Sequence, residues 1–571
     1  AITVPDKINN QKVVSLDNHG NRLIGVDQVT SLDTSNCTSL SIGNNAFKSC
    51  RDLTSVNLSG CTSIGESAFS GCSNISGSID LSKCTSISPL AFQGCSGITG
   101  SVNLSNCTSI GQEAFEACGN LTSVTFPTSP EILYTIGISA FKNCRNITTI
   151  DLSNCTYVGN NAFQENNSIT GSINLSNNCT YIGDQAFQNC RAITGSVDLS
   201  NCTYIGNSAF AGCKGITGTI DLSKCTTIRG NAFLDCSSIT KVTWPSSIQS
   251  IPNYCFSGCT NLGSFNSNSW EFNLAGITSI GGSAFKNCSS ITDNIDLSSC
   301  TSIGKSAFQD CSGITKVTWP SSIRSIPNKC FSGCTDLRSF NSDTTTLNLA
   351  NITSIGNFAF EGCSNILSIT FPTTNAYTIG ESAFSGCSNI SGSISLSYCS
   401  SAGSSAFNGC KNITRVTWPI GSIPEIPEAC FNGCTNLKFF NSTGGFNLSR
   451  ITSIGNQAFN GCSSITGSVD LSKCNFVGDS AFQNCSGITG SVDLSNCTSV
   501  GNSAFSDCKN ITGVTWPIES IQKIPEACFS GCTNLKSFNS TEGFNLTGST
   551  SIGNQAFNGC SSITGSVDLS K

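Results

Sequence analysis

An Ala-Phe or Cys-Phe pair recurs in this chain at a period too short for independent domains. The phenylalanines are Phe47, Phe69, Phe92, Phe115, Phe141, Phe163, Phe187, Phe210, Phe233, Phe256 and Phe285, and then Phe308, Phe331, Phe360, Phe384, Phe407, Phe431, Phe459, Phe482, Phe505, Phe529 and Phe557. Twenty-two copies follow one another at spacings of 22 to 29 residues, most often 23, with no linker between them. A unit of that length cannot bury its apolar side alone, so it must stack on copies of itself. The composition of the 571 residues hardly drifts, as a single repeated unit requires.

Within one unit, Leu53, Val56, Leu58 and Cys61 fall in the spacing L-x-x-L-x-L-x-x-C. Val56 and Leu58 alternate with polar Ser55 and Asn57, which predicts a short strand with one face inward. Ala68, Phe69 and Cys72 then stand at offsets that share one side of a helical turn. The unit therefore reads as strand, turn and helical turn. Stacked, it predicts an α/β solenoid of about 22 repeats, a right-handed superhelix on the order of 100 Å long with a parallel sheet on its concave face. Residues 1–31 do not fit the repeat and read as a β-rich N-terminal cap, leaving 32–571 as one continuous array. The chain stops in mid-repeat at Lys571, so more chain, such as an anchor, is expected to follow. It has no Met, and a start at Ala1 implies processing of a secreted protein or a trimmed chain.

The string G-x-x-A-F-x-x-C-x-x-L/I, with the Ile-Pro variants at Ile251-Pro252 and Ile326-Pro327, resembles the BspA-like leucine-rich repeats over residues 37 to 571. Such repeats occur in surface proteins of oral bacteria, treponemes and parasitic protists. The resemblance implies secretion or surface display, adhesion to host matrix proteins or cells, and no enzymatic activity. Most units carry L-S-x-C where the bacterial pattern has Ile-Pro, a flavour closer to the protist members, so the partner is not carried over.

The 37 cysteines fall in columns. Twenty-one lie three residues after a Phe, with Asn166 as the exception; twelve lie at L-S-x-C; and Cys255, Cys330, Cys430 and Cys528 replace the Ala before Phe. Columns that alternate with apolar residues are packing columns, with Cys acting as a small buried hydrophobe. Disulfides between adjacent rungs are the rival reading. The pairs Cys255/Cys259 and Cys430/Cys434 lack further zinc ligands, since His19 is the only imidazole. With one His and no nucleophile-elbow, zincin or P-loop string, no enzyme and no cofactor are expected. A carboxylate-only glycosidase is the one enzymatic loophole. Charged residues are 11% with a net charge of −6 and no Lys/Arg cluster, which argues against nucleic acid. No apolar run reaches the ~18–20 residues of a membrane span.

Two surfaces remain for a partner. The residue between the inward pair of each strand is always Asp, Asn, Thr or Ser, and Asp198/Asp221 and Asp470/Asp493 are adjacent acidic pairs suited to a cationic or glycan-bearing partner. The plain alternative is that a solvent-facing strand position is small and polar. Four longer stretches, 263–271, 338–346, 438–445 and 536–543, interrupt the regular unit and carry Phe265, Trp270, Phe340, Phe439, Phe440 and Phe538. Insertions in a solenoid are expected to bulge at its edge, where they would form the binding ridge, unless the first aromatic tucks back over the rung. Asn-x-Ser/Thr sequons such as Asn57, Asn103 and Asn447 would place glycans on the same sheet. The resulting expectation is an extracellular or cell-surface binding protein for a protein or glycan on host cells or matrix. The alternative is a self-associating coat or filament protein.

Overall fold

Each regular rung lays down two short parallel strands rather than one. In the rung of Phe115 these are Ser101–Asn103 and Ser109–Ile110. The first is the V-x-L strand read from the alternation. The second comes from T-S-I, whose β-branched Ile is buried while the preceding Ser faces outward. Identical positions stack in register: Val102 lies opposite Ile79 and Val124, and Ile110 opposite Ile87 and Ile136. The computed structural model describes all residues except 9, 10, 24, 176, 177, 268–270, 420, 444, 541, 542, 565, 566 and 569–571.

The chain forms two compact units, Ala1–Ile291 and Thr292–Lys571. In the first unit the second-strand positions make one ten-stranded parallel sheet running from Ser15–Leu16 to Thr227–Ile228. The V-x-L strands form shorter ladders beside it, such as Ile79–Asp80, Ser101–Asn103 and Ser123–Thr125. Residues at the N-terminus join both sheets, Ile2–Thr3 pairing with Leu32 and Asp33, and Ser15–Leu16 with Ser41 and Ile42. The second unit repeats the plan. Its first sheet includes Asp293–Asp296 through Ser368–Thr370, and its second includes Glu425–Ile426, Ser453–Ile454, Phe476–Val477 and Ser499–Val500.

The return segment, expected as a helical turn, is a ladder of tight turns. The α part of the α/β expectation is thus replaced by turns, and among the described residues the helix is a single short 3-10 turn, Val26–Gln28. In the rung of Phe47, Ala46, Lys48 and Cys50 donate back within the rung to Gly43, Asn45 and Phe47. The intervening Asn45, Phe47 and Ser49 donate instead to the carbonyls of Glu66, Ala68 and Ser70 in the next rung, at 2.8, 2.7 and 2.7 Å. Alternate residues must turn their N–H outward for this, which requires left-handed backbone two positions before and two after each Phe: Asn45 has φ 57° and Ser49 φ 59°. The pattern recurs at Leu90 and Gly94 and at Phe358 and Gly362.

Between sheets and turns lies the core. Successive Phe rings stack nearly parallel, from 5.3 Å and 2° at Phe47–Phe69 in the first unit to 5.8 Å and 9° at Phe529–Phe557 in the second. All 37 cysteines are buried and unpaired by disulfides. Most of their thiols donate to the main chain: Cys72 to the Phe47 carbonyl (3.0 Å), Cys95 to Phe69 (3.1 Å), and Cys107 to Cys84 (3.0 Å). Asn166, alone in its column, does the same through Nδ2 to the Phe141 carbonyl at 2.8 Å.

Candidate functional site

In the regular rungs the outward residue of the first-sheet strand ends that strand. Asp198 Oδ1 accepts the Ser200 N–H at 3.0 Å and Asp221 Oδ1 accepts that of Ser223 at 2.9 Å. Asp470 and Asp493 do the same for Ser472 and Ser495 at 3.0 and 2.9 Å. Asn57 and Asn103 replace Asp in this turn without loss, binding Ser59 and Ser105. The hydrogen bonds from Ser472 hold the Asp470 carboxyl below its ordinary value. Asp470 and Asp493 are neighbours across a parallel bridge. Asp198 and Asp470 are exposed, while Asp221 and Asp493 are half-buried. The need for an Asx turn thus accounts for the Asp/Asn members of the column, and each Asp still offers its second oxygen to the surface.

In the second unit this column also carries cations two residues earlier in the strand, before Thr318 and Thr417, which reading the Asp column alone overlooked. Lys316 pairs with Asp343 at 2.8 Å. Arg415 donates Nη1 to the Ser442 carbonyl at 2.7 Å and lies 4.4 Å from the Phe439 ring centroid. Both reach from a Trp-bearing rung to the insertion in the following rung.

The insertions themselves differ from expectation. They enter the core rather than bulging entirely from the edge. Phe265, Phe340, Phe440 and Phe538 are each 0% exposed and so cannot touch a partner directly. Each packs edge-on against the Phe column, as Phe440 does against Phe431 and Phe459 at 5.9 and 5.6 Å. The chain then loops back and pairs with itself in parallel, Phe265 with Phe272, Phe340 with Leu347, Phe440 with Phe446 and Phe538 with Phe544. Parallel neighbours ordinarily need a crossover of a dozen or more residues; here two buried side chains per insertion repay the tight return. Phe439 is half-buried beneath Arg415. Trp270 lies outside the described residues.

What organises each insertion is an Asn that sequence reading missed. Asn266, Asn341, Asn441 and Asn539 adopt left-handed backbone with φ of 47 to 49°. Their Oδ1 atoms accept the backbone N–H of Trp244, Trp319, Trp418 and Trp516 at 2.6, 2.7, 2.7 and 2.5 Å. Each indole N–H in turn caps its own loop, Trp244 donating to the Ile248 carbonyl at 2.9 Å. The clue was the constant pairing of Trp-Pro with Phe-Asn-Ser 22 or 23 residues later. The coupling leaves a groove beside the Trp. One, of about 360 Å³, lies among Trp244, Pro245, Asn266, Ser267 and Gly276. Its counterpart in the second unit, of about 750 Å³, lies among Ser491, Thr515, Trp516, Ile518, Asn539 and Ser540. Asp343, Thr344, Thr443 and Ser540 are exposed at the tips.

Two parallel strands per rung, a turn ladder and an aromatic column define a leucine-rich-repeat solenoid. The BspA type leucine rich repeat region matches in six copies, over residues 25–134, 101–217, 195–274, 264–353, 353–489 and 452–570, and the chain belongs to that family. No curated protein matches the chain. Among solved structures it is similar to a leucine-rich repeat protein from Bacteroides ovatus ATCC 8483, at 24% identity over 68% of this chain and 85% of that one, with a TM-score of 0.45. It is also similar to a leucine rich cell surface protein from Faecalibacterium prausnitzii A2-165, at 19% identity over 67% and 87% of the two chains, with a TM-score of 0.35. A leucine rich repeat protein of T. pallidum matches at 25% identity over 30% of this chain and 71% of that one, with a TM-score of 0.24. Among the described residues no helix is long and apolar enough to cross a membrane.

Proposed function

We propose that the chain is a non-enzymatic, secreted or surface-displayed binding protein whose partner is a protein or glycan of a host cell or extracellular matrix. The observation that carries this reading is the Trp-Asn coupling of the insertions: polar tips and adjacent grooves are held on a scaffold whose Phe and Cys columns, the last Phe557 aside, are buried. Loops on a rigid frame are where recognition concentrates, because little ordering entropy opposes binding. Within each unit an exposed Asp, Asp198 in the first and Asp470 in the second, adds to the polar surface.

Deleting the insertions would remove core phenylalanines, so the test substitutes their tips. Thr443→Arg and Ser540→Arg together leave Phe440 and Phe538 in place. Binding to immobilised matrix proteins and to cultured epithelial cells is compared with the unaltered chain, and sedimentation velocity reports assembly. Saturable binding by a monomer that the paired substitution abolishes supports the assignment. Unchanged binding moves the site off the insertions, and concentration-dependent polymers without a saturable partner point to a coat protein.

A further inference from the structure

On the second sheet the outward residue of each strand is mostly Ser or Thr, as at Ser453 and Ser499. Phe476 breaks the rule. It lies in register between those two serines, while the next residue, Val477, points into the core. Its side chain is 40% exposed. Serines on both flanking strands are too small to cover a ring. Tyr157, Tyr181 and Tyr204, on the corresponding sheet of the first unit, stack on one another at 4.6 and 4.5 Å, with Tyr157 at the end of the stack 37% exposed, whereas Phe476 has no ring beside it. The core has no use for an outward Phe at 476.

Beside the ring runs a fixed polar edge. Asn456 Oδ1 accepts the Asp479 N–H at 2.9 Å, and Asp479 Oδ1 accepts the Asn502 N–H at 2.7 Å. Asn502 Oδ1 accepts the Glu526 N–H at 3.1 Å. One oxygen of each side chain is therefore committed to the next rung, which orients the second carboxylate oxygen of Asp479 and the amide groups of Asn456 and Asn502. Gly478 and Gly501 make room for this row: a Cβ on Gly478 would stand 2.5 Å from the Asn456 nitrogen, and one on Gly501 2.3 Å from the Asp479 nitrogen. Phe476, Asn456, Asp479, Asn502 and Lys523 line one shallow cavity of about 410 Å³, within the range of small-ligand sites.

We infer that this cavity is a saccharide subsite that takes a neutral pyranose. An uncovered aromatic face buries the apolar C–H face of a sugar ring. A carboxylate, two carboxamides and an ammonium match the donors and acceptors of adjacent hydroxyls. The Asp479 carboxylate and the Lys523 ammonium balance, so the lining favours an uncharged sugar over an acidic one. The inference concerns the second sheet and stands independently of what the insertions bind.

Saturation-transfer NMR on the full chain tests it with the methyl glycosides of glucose, galactose and mannose, and with sialyllactose as the acidic comparator. At least one neutral glycoside is expected to show saturable transfer, strongest at the protons of one ring face. Phe476→Ser, which installs the residue found on the flanking strands, abolishes the signal with an unchanged melting temperature. Asp479→Asn keeps the turn acceptor and weakens binding about tenfold, as loss of a hydrogen bond to a charged group does. Absence of saturable transfer from all three neutral glycosides, binding of sialyllactose alone, or undiminished binding by the Phe476→Ser protein would each overturn the inference.

Discussion

Asn166 shows what the cysteine columns are for. It donates Nδ2 to the Phe141 carbonyl, as Cys144 donates its thiol to that of Phe115 at 3.0 Å, but its own Oδ1 is buried without a partner. The column asks for a small side chain with one weak donor, and Cys supplies that without an orphan acceptor. Asn166→Cys is expected to match or exceed the parent in thermal stability. Asn166→Ala leaves the Phe141 carbonyl with only the Cys144 N–H at 3.3 Å and is expected to cost about 0.5–1.5 kcal/mol. Equal melting temperatures for the two variants would remove the hydrogen-bonding role. Burial has a second consequence, since it holds the thiols of Cys118, Cys190 and Cys236 far above their ordinary value. A raised folded value means that the stabilisation is complete below the unfolded thiol value, about 8.5, and is lost as pH rises beyond it. Each such thiol then lowers the unfolding free energy by about 1.4 kcal/mol per pH unit. Denaturant midpoints measured from pH 7 to 10 should be level to about pH 8 and fall steeply above it; a flat profile through pH 10 would contradict burial of free thiols.

At the scale of the element, the repeat and its V-x-L strand were legible because Val56 and Leu58 alternate with polar neighbours. The second strand was not, because T-S-I places a single apolar residue inward and two residues set no period. The turn ladder was read as helix because Ala68, Phe69 and Cys72 share one side in either conformation, and the left-handed positions accept Asn45, Leu90, Glu113 and Phe358 alike. At these positions inter-rung hydrogen bonds outweigh backbone preference. A bulky L-residue there is strained by roughly 1–2 kcal/mol, and Asn less so. Leu90→Asn is therefore expected to raise the melting temperature and Leu90→Val to lower it, and the reverse order would exclude left-handed backbone at 90. Among the insertions, the aromatic positions were legible but their direction was not, since Phe439 and Phe440 are adjacent and strand alternation sends only one inward. Phe440→Ala should cost about 3–5 kcal/mol, whereas Phe439→Ala, which removes a half-buried ring and its contact with Arg415 of about 0.5–1 kcal/mol, should cost clearly less. Similar losses from both would mean that the register is shifted by one residue.

At the scale of the whole molecule, the contacts of a rung are made with the rungs on either side of it. The backbone N–H groups of Asn45, Phe47 and Ser49 bond to the next copy, and the Cys72 thiol to the previous one. Stability is then a sum of rung terms and nearest-neighbour terms, so cooperativity decays along the chain instead of embracing all 571 residues. Unfolding is expected to divide between the two compact units, Ala1–Ile291 and Thr292–Lys571. Calorimetry is expected to give a total enthalpy well above the van't Hoff value of its main transition, because the array does not melt as one. Placing one cavity in each unit locates the parts. Phe210 and Phe482 are both 0% exposed members of the Phe column, and truncating either to Ala should cost about 3–5 kcal/mol locally. Phe210→Ala should move the component assigned by proteolysis to residues 1–291 and leave the other in place, while Phe482→Ala does the converse. A single two-state transition shifted equally by both substitutions would show that coupling runs the full length of the chain, and nearest-neighbour terms would no longer describe it.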